Sequence, residues 1–245
     1  MKHLGKVFEK CQIYQICLNP EKCKFMVRQG KILGHIVSKN GISTDLDKIS
    51  VIVDLPRPLN PKGVQICTGP CGYYWRFIYM YAKIARPMYA LLVVFEWTPE
   101  CEESFEKLKK ALVTTPILQA PDWNKPFHVH IDASAFAIGC ILAQPGDKNM
   151  DFPISYASRQ LNVAEKNYTT TKREGLLMIY VVKKFRHYLL ATQFVFFVDH
   201  QVLLYLVNKP CSTRRIVRWF VILLEFDFTV AVKKGSTASA GGSPV

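Results

Sequence analysis

The chain has 19 acidic side chains, few enough to weigh singly, and three of them stand directly against apolar sequence: Asp132 in HVHID, Glu174 in EGLLMIY and Asp199 in FFVD. A carboxylate in such surroundings is costly unless a cation meets it. Converging on one sheet edge, the three would offer the oxygen ligands that Mg²⁺ prefers while leaving positions for water and phosphate oxygens. The reaction class that fits is two-metal phosphodiester hydrolysis. The competing reading of each acid alone is that it caps a helix or pairs with a nearby Lys or Arg, since structural ion pairs are commoner than sites.

The remaining chemistry-bearing residues read more plainly. His128 and His130 share a strand face and could ligate a metal, but no other His or Cys stands at zinc-like spacing from them, so structural roles are expected. Cys67-x-x-x-Cys71 has no partner pair for a zinc ribbon. The eight cysteines are expected to be mostly reduced core thiols of an intracellular protein, cytoplasmic or nuclear. Tyr73, Tyr74, Trp75 and Phe77 beside Arg76 fit a core at helical spacing, with stacking on bases as the alternative. Lys183, Lys184, Arg186, Arg214, Arg215 and Arg218 read as solvated faces, with phosphate contact as the alternative.

The elements that must position these groups follow from periodicity. Leu4, Val7, Phe8, Cys11, Tyr14 and Leu18 predict one buried face of a helix of about four turns, stopped at Asn19-Pro20. KFMV and KILGHIV predict a small hairpin that turns at Arg28-Gln29-Gly30 and ends at Lys39-Asn40-Gly41. Asp45 and Asn60-Pro61 are helix starts. The second of those helices is expected to break at Gly69-Pro70, because an internal proline costs about 3 kcal/mol. Thr98-Pro99 opens a helix with acids in its first turn and lysines in its last. From Pro126, FHVHIDAS, AIGCILAQ and FPISYASR predict an antiparallel meander. A long helix over residues 172–190, a strand FVFFVD, a short helix HQVLLYLV, a helix TRRIVRWFVILLEF and a last strand DFTVAVK complete a mixed sheet with packed helices, an α+β fold. Residues 236–245 predict a disordered tail.

Composition narrows the classes. With 49% hydrophobic and 21% charged residues the chain can bury a core, and wholesale disorder is excluded. The apolar runs fall short of the roughly 18 residues a membrane span requires, so no membrane partner is expected. The N-terminus MKHLGKVFEK places charges where a signal peptide carries its apolar segment, and export is not expected. A net charge of +13, spread over both halves, favours a polyanionic partner such as nucleic acid.

KVFEKCQIYQICLNPEKCKF, ILGHIVSKNGISTD, GYYWRFI, KIARPM, FEWTPECEESFEKLKKAL, PFHVHIDAS, ISYASRQLNVAEKNYTTTKRE, KKFRHYLL and VDHQVLLYL, in that order and covering nearly the whole chain, resemble the Pol polyprotein of gypsy-type LTR retrotransposons. The resemblance implies a thumb-like and connecting remnant of the reverse transcriptase over residues 1–120 and a ribonuclease H-like domain over 121–235. It also implies a function, hydrolysis of the RNA strand of an RNA–DNA hybrid. Asp132 falls on the Asp of the family's DAS motif, Glu174 on its helix Glu, and Asp199 on the Asp of its T-D-H motif, here V-D-H. The resemblance makes these three the ligands of two Mg²⁺ ions. With a hybrid-binding fold implied, Ser134, Arg159, His200 and Arg218 are expected to touch the nucleic acid, and an upstream reverse transcriptase part of a Pol polyprotein is an expected partner.

Two departures temper that expectation. No Asp-Asp pair of the polymerase motif occurs in the sequence, so DNA synthesis by this chain alone is not expected. The last acid is Asp227, so the family's fourth metal-ligand Asp has no counterpart in residues 228–245. The second ion is expected to be weakly held and hydrolysis to be weak or lost. The other reading is a catalytically inactive nucleic-acid-binding or scaffold remnant.

Overall fold

The computed structural model describes residues 2–25, 27–146, 150–190, 192–198 and 214–232. The expected helix over 200–207, the tail over 236–245, Asp199 and His200 lie outside these residues.

The first half is built of helices and a small sheet. Helix α1 (Lys2–Ile13) is shorter than its periodicity predicts. Gln15 takes a left-handed φ of 54°, and the amides of Gln15 and Ile16 donate back to the carbonyls of Gln12 and Cys11. That pairing is a Schellman stop, which closes the helix before Asn19-Pro20. Asn19 instead caps a 3₁₀ turn, Pro20–Lys22, through the Glu21 amide. The apolar face of α1 is also not buried as expected, Val7 being 52% exposed and Phe8 40%.

The expected hairpin is a three-stranded antiparallel sheet of β1 (Gln29–Ile32), β2 (His35–Ser38) and β3 (Gly41–Thr44). KILGHIV is two strands rather than one. Leu33 (φ 47°) and Gly34 (φ 71°) both enter the left-handed region, as a tight primed hairpin turn requires. The carbonyls of that turn accept hydrogen bonds from the hydroxyls of Tyr73 and Tyr74.

Asp45 caps α2 (Leu46–Val53) through the Asp47 amide, and Asn60 caps α3 (Pro61–Tyr73) through the Gly63 amide. Helix α3 runs through Pro70, contrary to the expected break. The residue before the proline is Gly69, whose missing side chain removes the clash that usually excludes helical backbone there. Ile66, whose carbonyl loses its amide partner, lies on the exposed side of the helix, where water can take that bond.

A 3₁₀ turn (Trp75–Phe77), two short helices, α4 (Tyr81–Ile84) and α5 (Arg86–Ala90), and α6 (Pro99–Val113) close this half. Its core joins Ile49, Val64, Tyr74, Phe77, Met88, Phe105 and Leu112, with Tyr156 reaching in from the second half.

The second half is a five-stranded sheet of order β6-β5-β4-β7-β8. Strands β4 (Phe127–Ala133), β5 (Ala137–Pro145) and β6 (Asp151–Gln160) form the predicted antiparallel meander. Strand β7 (Phe194–Val198) lies parallel to β4, and β8 (Phe228–Val232) parallel to β7. A four-residue helix α7 (Val163–Lys166) opens on an Asn162–Glu165 capping box. Helix α8 (Thr170–Lys184), capped by Thr169, lies across β4 and β5. It stops earlier than predicted, at Phe185, and α9 (Arg186–Leu189) continues as a separate turn. Helix α10 (Arg214–Leu223) packs against α8. Phe127, Val129 and Ile131 of β4, Ile138, Cys140 and Leu142 of β5, and Leu177, Met178, Val181 and Val182 of α8 form the second core. Among the described residues, no helix is long and apolar enough to cross a membrane.

Two measurements test this packing. Gly41 begins β3 at φ 128°, and a Cβ there would meet the Leu118 carbonyl oxygen at 2.2 Å, the oxygen that accepts from the Ile42 amide. Gly41→Ala is expected to cost about 2 kcal/mol or more in urea unfolding. Burial also pushes up the phenols of Tyr74, Tyr81, Tyr156 and Tyr180, the last to about 12. The folded chain then keeps protons that the unfolded chain releases above pH about 10, so stability is full below that pH and falls as pH rises beyond it. The urea midpoint, followed from neutral to alkaline pH, should decline in that window.

Candidate functional site

Period-two alternation along β4 divides its side chains. Phe127, Val129 and Ile131 turn under α8, and His128, His130 and Asp132 turn to the opposite face. Asp132 pairs with Gly139 of β5 near the end of the strand and is exposed. Its Oδ2 accepts a hydrogen bond of 2.8 Å from the Tyr79 hydroxyl. Partial burial of that phenol, and then the carboxylate beside it, push Tyr79 well above the usual tyrosine range. Among the described residues, no Lys or Arg forms an ion pair with Asp132.

Glu174 lies in the second turn of α8 and is half-buried. Arg173, its neighbour, ties this end of the helix to the strand end: Nη1 donates to the Ser134 carbonyl at 2.8 Å and Nε to the Tyr168 carbonyl at 2.9 Å. The tether brings the helix turn bearing Glu174 to the turn that follows Asp132. Asp199, the third expected ligand, lies outside the described residues. Val198, which precedes it, ends β7 buried, one strand from β4.

The expected nucleic-acid contacts are placed unequally. The Ser134 hydroxyl is used within the β4–β5 turn, donating to the Ala137 carbonyl and accepting from the Ala137 amide. Arg159 forms a two-pronged pair with Glu165, Nη1 to Oε2 at 2.7 Å and Nη2 to Oε1 at 2.9 Å. Arg218 is exposed on α10, and His200 lies outside the described residues.

The other basic and aromatic candidates are mostly engaged. Lys184 covers the Trp75 ring, and Arg186 pairs with Glu225. Tyr74 and Phe77 are core residues around His35, as their helical spacing implies. Cys67 and Cys71 are buried one helical turn apart in the same core.

Two features escaped sequence reasoning. Tyr79 carried no signal for its contact with Asp132, which depends on how α4 and the turn before it lie against the sheet. His128 and His130 were legible as a pair, but their third partner, Asp151, is delivered by β6 across the intervening strand. The His128 Nδ1 lies 2.9 Å from the Asp151 carboxylate and the His130 Nε2 2.7 Å from it. Burial pushes the Asp151 carboxyl up, but the hydrogen bonds from His130 and His128 outweigh it and hold the group below its usual range.

As a donor set for Mg²⁺, Asp132 and Glu174 fit in kind, since both are oxygen ligands on neighbouring rigid elements. The histidine cluster, with two nitrogens, does not suit that ion.

A sheet that is antiparallel through β6-β5-β4 and parallel through β4-β7-β8, with α8 laid across the middle strand, is the arrangement of ribonuclease H. Residues 97–196 match the family described as an RNase H-like domain found in reverse transcriptase, and the chain as a whole is similar to Pol polyproteins of transposons. It is 39% identical over 237 residues to the Retrovirus-related Pol polyprotein from transposon 297 of Drosophila melanogaster, covering 95% of this chain and 22% of that polyprotein. Transposon 412 of the same organism is 35% identical over 238 residues, covering 96% of this chain and 19% of the polyprotein. The Transposon Tf2-3 polyprotein of Schizosaccharomyces pombe is 29% identical over 243 residues, covering 96% and 18%. The chain therefore spans about a fifth of these relatives.

Solved structures share the fold. The foamy viral protease-reverse transcriptase in complex with RNA/DNA hybrid superposes with a TM-score of 0.77 at 20% identity, covering 100% of this chain and 34% of that one. The same protein in complex with dsDNA gives 0.77 at 19%, covering 96% and 52%.

The Arg159–Glu165 pair separates structural from binding roles. Glu165 is buried and also accepts from the Asn162 amide within the capping box. Arg159→Ala removes the cation paired with that carboxylate and is expected to destabilise by about 1–3 kcal/mol, the usual cost of breaking a buried pair discounted for the partly exposed arginine. If chemical denaturation shows no loss while hybrid affinity drops sharply, the arginine serves binding rather than the fold.

Proposed function

We propose that this chain is the ribonuclease H-like segment of a gypsy-type retrotransposon Pol, divided near residue 120 from a thumb-like and connecting part, and that it acts on the RNA strand of RNA–DNA hybrids. The observation that carries the reading is the tether of Arg173 to the Ser134 carbonyl, which holds the Glu174 turn of α8 at the end of the strand bearing Asp132. Asp132, Glu174 and Asp199 would hold Mg²⁺, which when bound polarises the scissile phosphate and lowers the pKa of an attacking water. The chain's own part is to fix the oxygens of Asp132 and Glu174 on a strand end and a packed helix, so that little reorganisation of these two is needed when substrate arrives. The charge of +13 supplies a general attraction for the backbone of a duplex, to which exposed groups such as Arg218 contribute. An upstream reverse transcriptase part is the natural protein partner.

One observation favours a second reading, an inert nucleic-acid-binding remnant. Tyr79 occupies one oxygen of Asp132, and its proton is held tightly there.

A labelled RNA–DNA hybrid distinguishes the two. The nuclease reading expects Mg²⁺-dependent cleavage that is slow, is lost in Asp132→Asn and Asp199→Asn, and rises severalfold in Tyr79→Phe, which returns the Oδ2 to solvent. The remnant reading expects no cleavage in any variant, with salt-sensitive hybrid binding that ignores both Asn substitutions.

A further inference from the structure

We infer that His128, His130 and Asp151 form a binding site for a first-row transition metal of the zinc class, separate from the carboxylates of the proposed nuclease site. The three donor atoms lie within 4.8 Å of one another. His128 and His130 are two residues apart on β4, so the pleat puts both rings on the same face. Asp151 opens β6, whose pairing with β5 carries it over the intervening strand to meet them.

The rings are also fixed in orientation. Phe197 of β7 stacks on the His130 ring at 4.6 Å with planes 12° apart, and meets the His128 ring edge-on at 5.1 Å. The side chains are 18%, 32% and 22% exposed for His128, His130 and Asp151, so the cluster is walled on one side and open on the other.

The chemistry of the set selects the ion. Two imidazole nitrogens and a carboxylate are ligands for Zn²⁺ and its neighbours, whereas Mg²⁺ takes oxygens. In a tetrahedral site with bonds of about 2.0 Å, ligand atoms stand about 3.3 Å apart. The present contacts of 2.7–2.9 Å between the carboxylate and each ring need to open by only about half an ångström. Binding exchanges the two N–H···O contacts for bonds to a shared ion: the proton that each ring directs at the carboxylate leaves that nitrogen, reappearing on the other nitrogen of a neutral ring or passing to solvent from a charged one. The open side supplies the fourth position to water. Among the described residues, no Lys or Arg pairs with Asp151, so no fixed cation already claims its charge. A bound ion would clip the start of β6 to the middle of the sheet, stiffening the β5–β6 end.

The test uses the whole chain with ZnCl₂ as probe, in a buffer that does not bind metal and with excess MgCl₂ present. Calorimetry is expected to give one Zn²⁺ per chain at micromolar affinity or tighter, with a rise in melting temperature that EDTA reverses. His128→Asn, His130→Asn and Asp151→Asn should each weaken binding about tenfold or more, the scale on which metal sites lose affinity when their shells are altered. Binding should persist in a Cys11→Ser, Cys17→Ser, Cys23→Ser background, since those three thiols are not fully buried. Ring-nitrogen NMR of the unaltered chain gives a readout independent of any variant's folding: Zn²⁺ should shift the His128 and His130 signals, and Mg²⁺ should not. The inference is overturned if neither ring responds to Zn²⁺, or if a folded Asp151→Asn chain binds it unchanged. The cluster is then only a hydrogen-bonded clasp.

Discussion

The structure depends on the central place of β4, bonded on both edges and buried on one face. This strand is bonded antiparallel to β5 on one edge and parallel to β7 on the other, and its inward residues Phe127, Val129 and Ile131 are at most 3% exposed. A slip of one residue would exchange the two faces, moving His128, His130 and Asp132 into an apolar core that offers them no partners. The cost of that exchange fixes the register, and the register fixes where His128, His130 and Asp132 stand. Helix α8, with seven buried residues, seals the arrangement by packing across β4 and β5.

The outer face of the sheet is shared. At its β5–β6 side the helices of the first half press closely. Gly139 leaves room for Met80, the Ala82 amide donates to the Ser158 hydroxyl, and Tyr156 joins the first half's core. Tyr79 reaches Asp132 because it belongs to this docked segment. The first half therefore affects the chemistry of the second through one hydroxyl, and the same contact that orients a carboxylate also competes for it. The histidine cluster lies farther back along β4, so a single strand presents a carboxylate at its end and imidazoles two and four residues before it.

The carboxylates on this face of the sheet differ in what holds them. Asp132 is exposed and relies on a neutral phenol, while Asp151 is half-buried and has its charge met by two imidazoles. Arg159 and Arg173 are committed to Glu165 and to backbone carbonyls. Attraction for a polyanion then rests with lysines and arginines that have no internal partner, and it is a property of the surface more than of the acidic strand end.

What the sequence determined by itself was local. The meander of β4, β5 and β6, the caps at Asp45, Asn60 and Thr169, and the apolar inner face of β4 are nearest-neighbour effects of hydrogen bonding and side-chain alternation, readable from a few consecutive residues. The candidate acids were legible for the same reason, as charges set against apolar runs. Tertiary structure decided the rest. Helix α3 crosses Pro70 because Gly69 and an exposed carbonyl relieve the strain, and KILGHIV splits because Leu33 and Gly34 accept positive φ under the hydroxyls of Tyr73 and Tyr74. Only the sheet could bring Asp151 to two histidines, and only docking could bring Tyr79 to Asp132. Those contacts join residues more than twenty positions apart, and the free energy that selects them comes from burying whole faces, a quantity no short window of sequence contains.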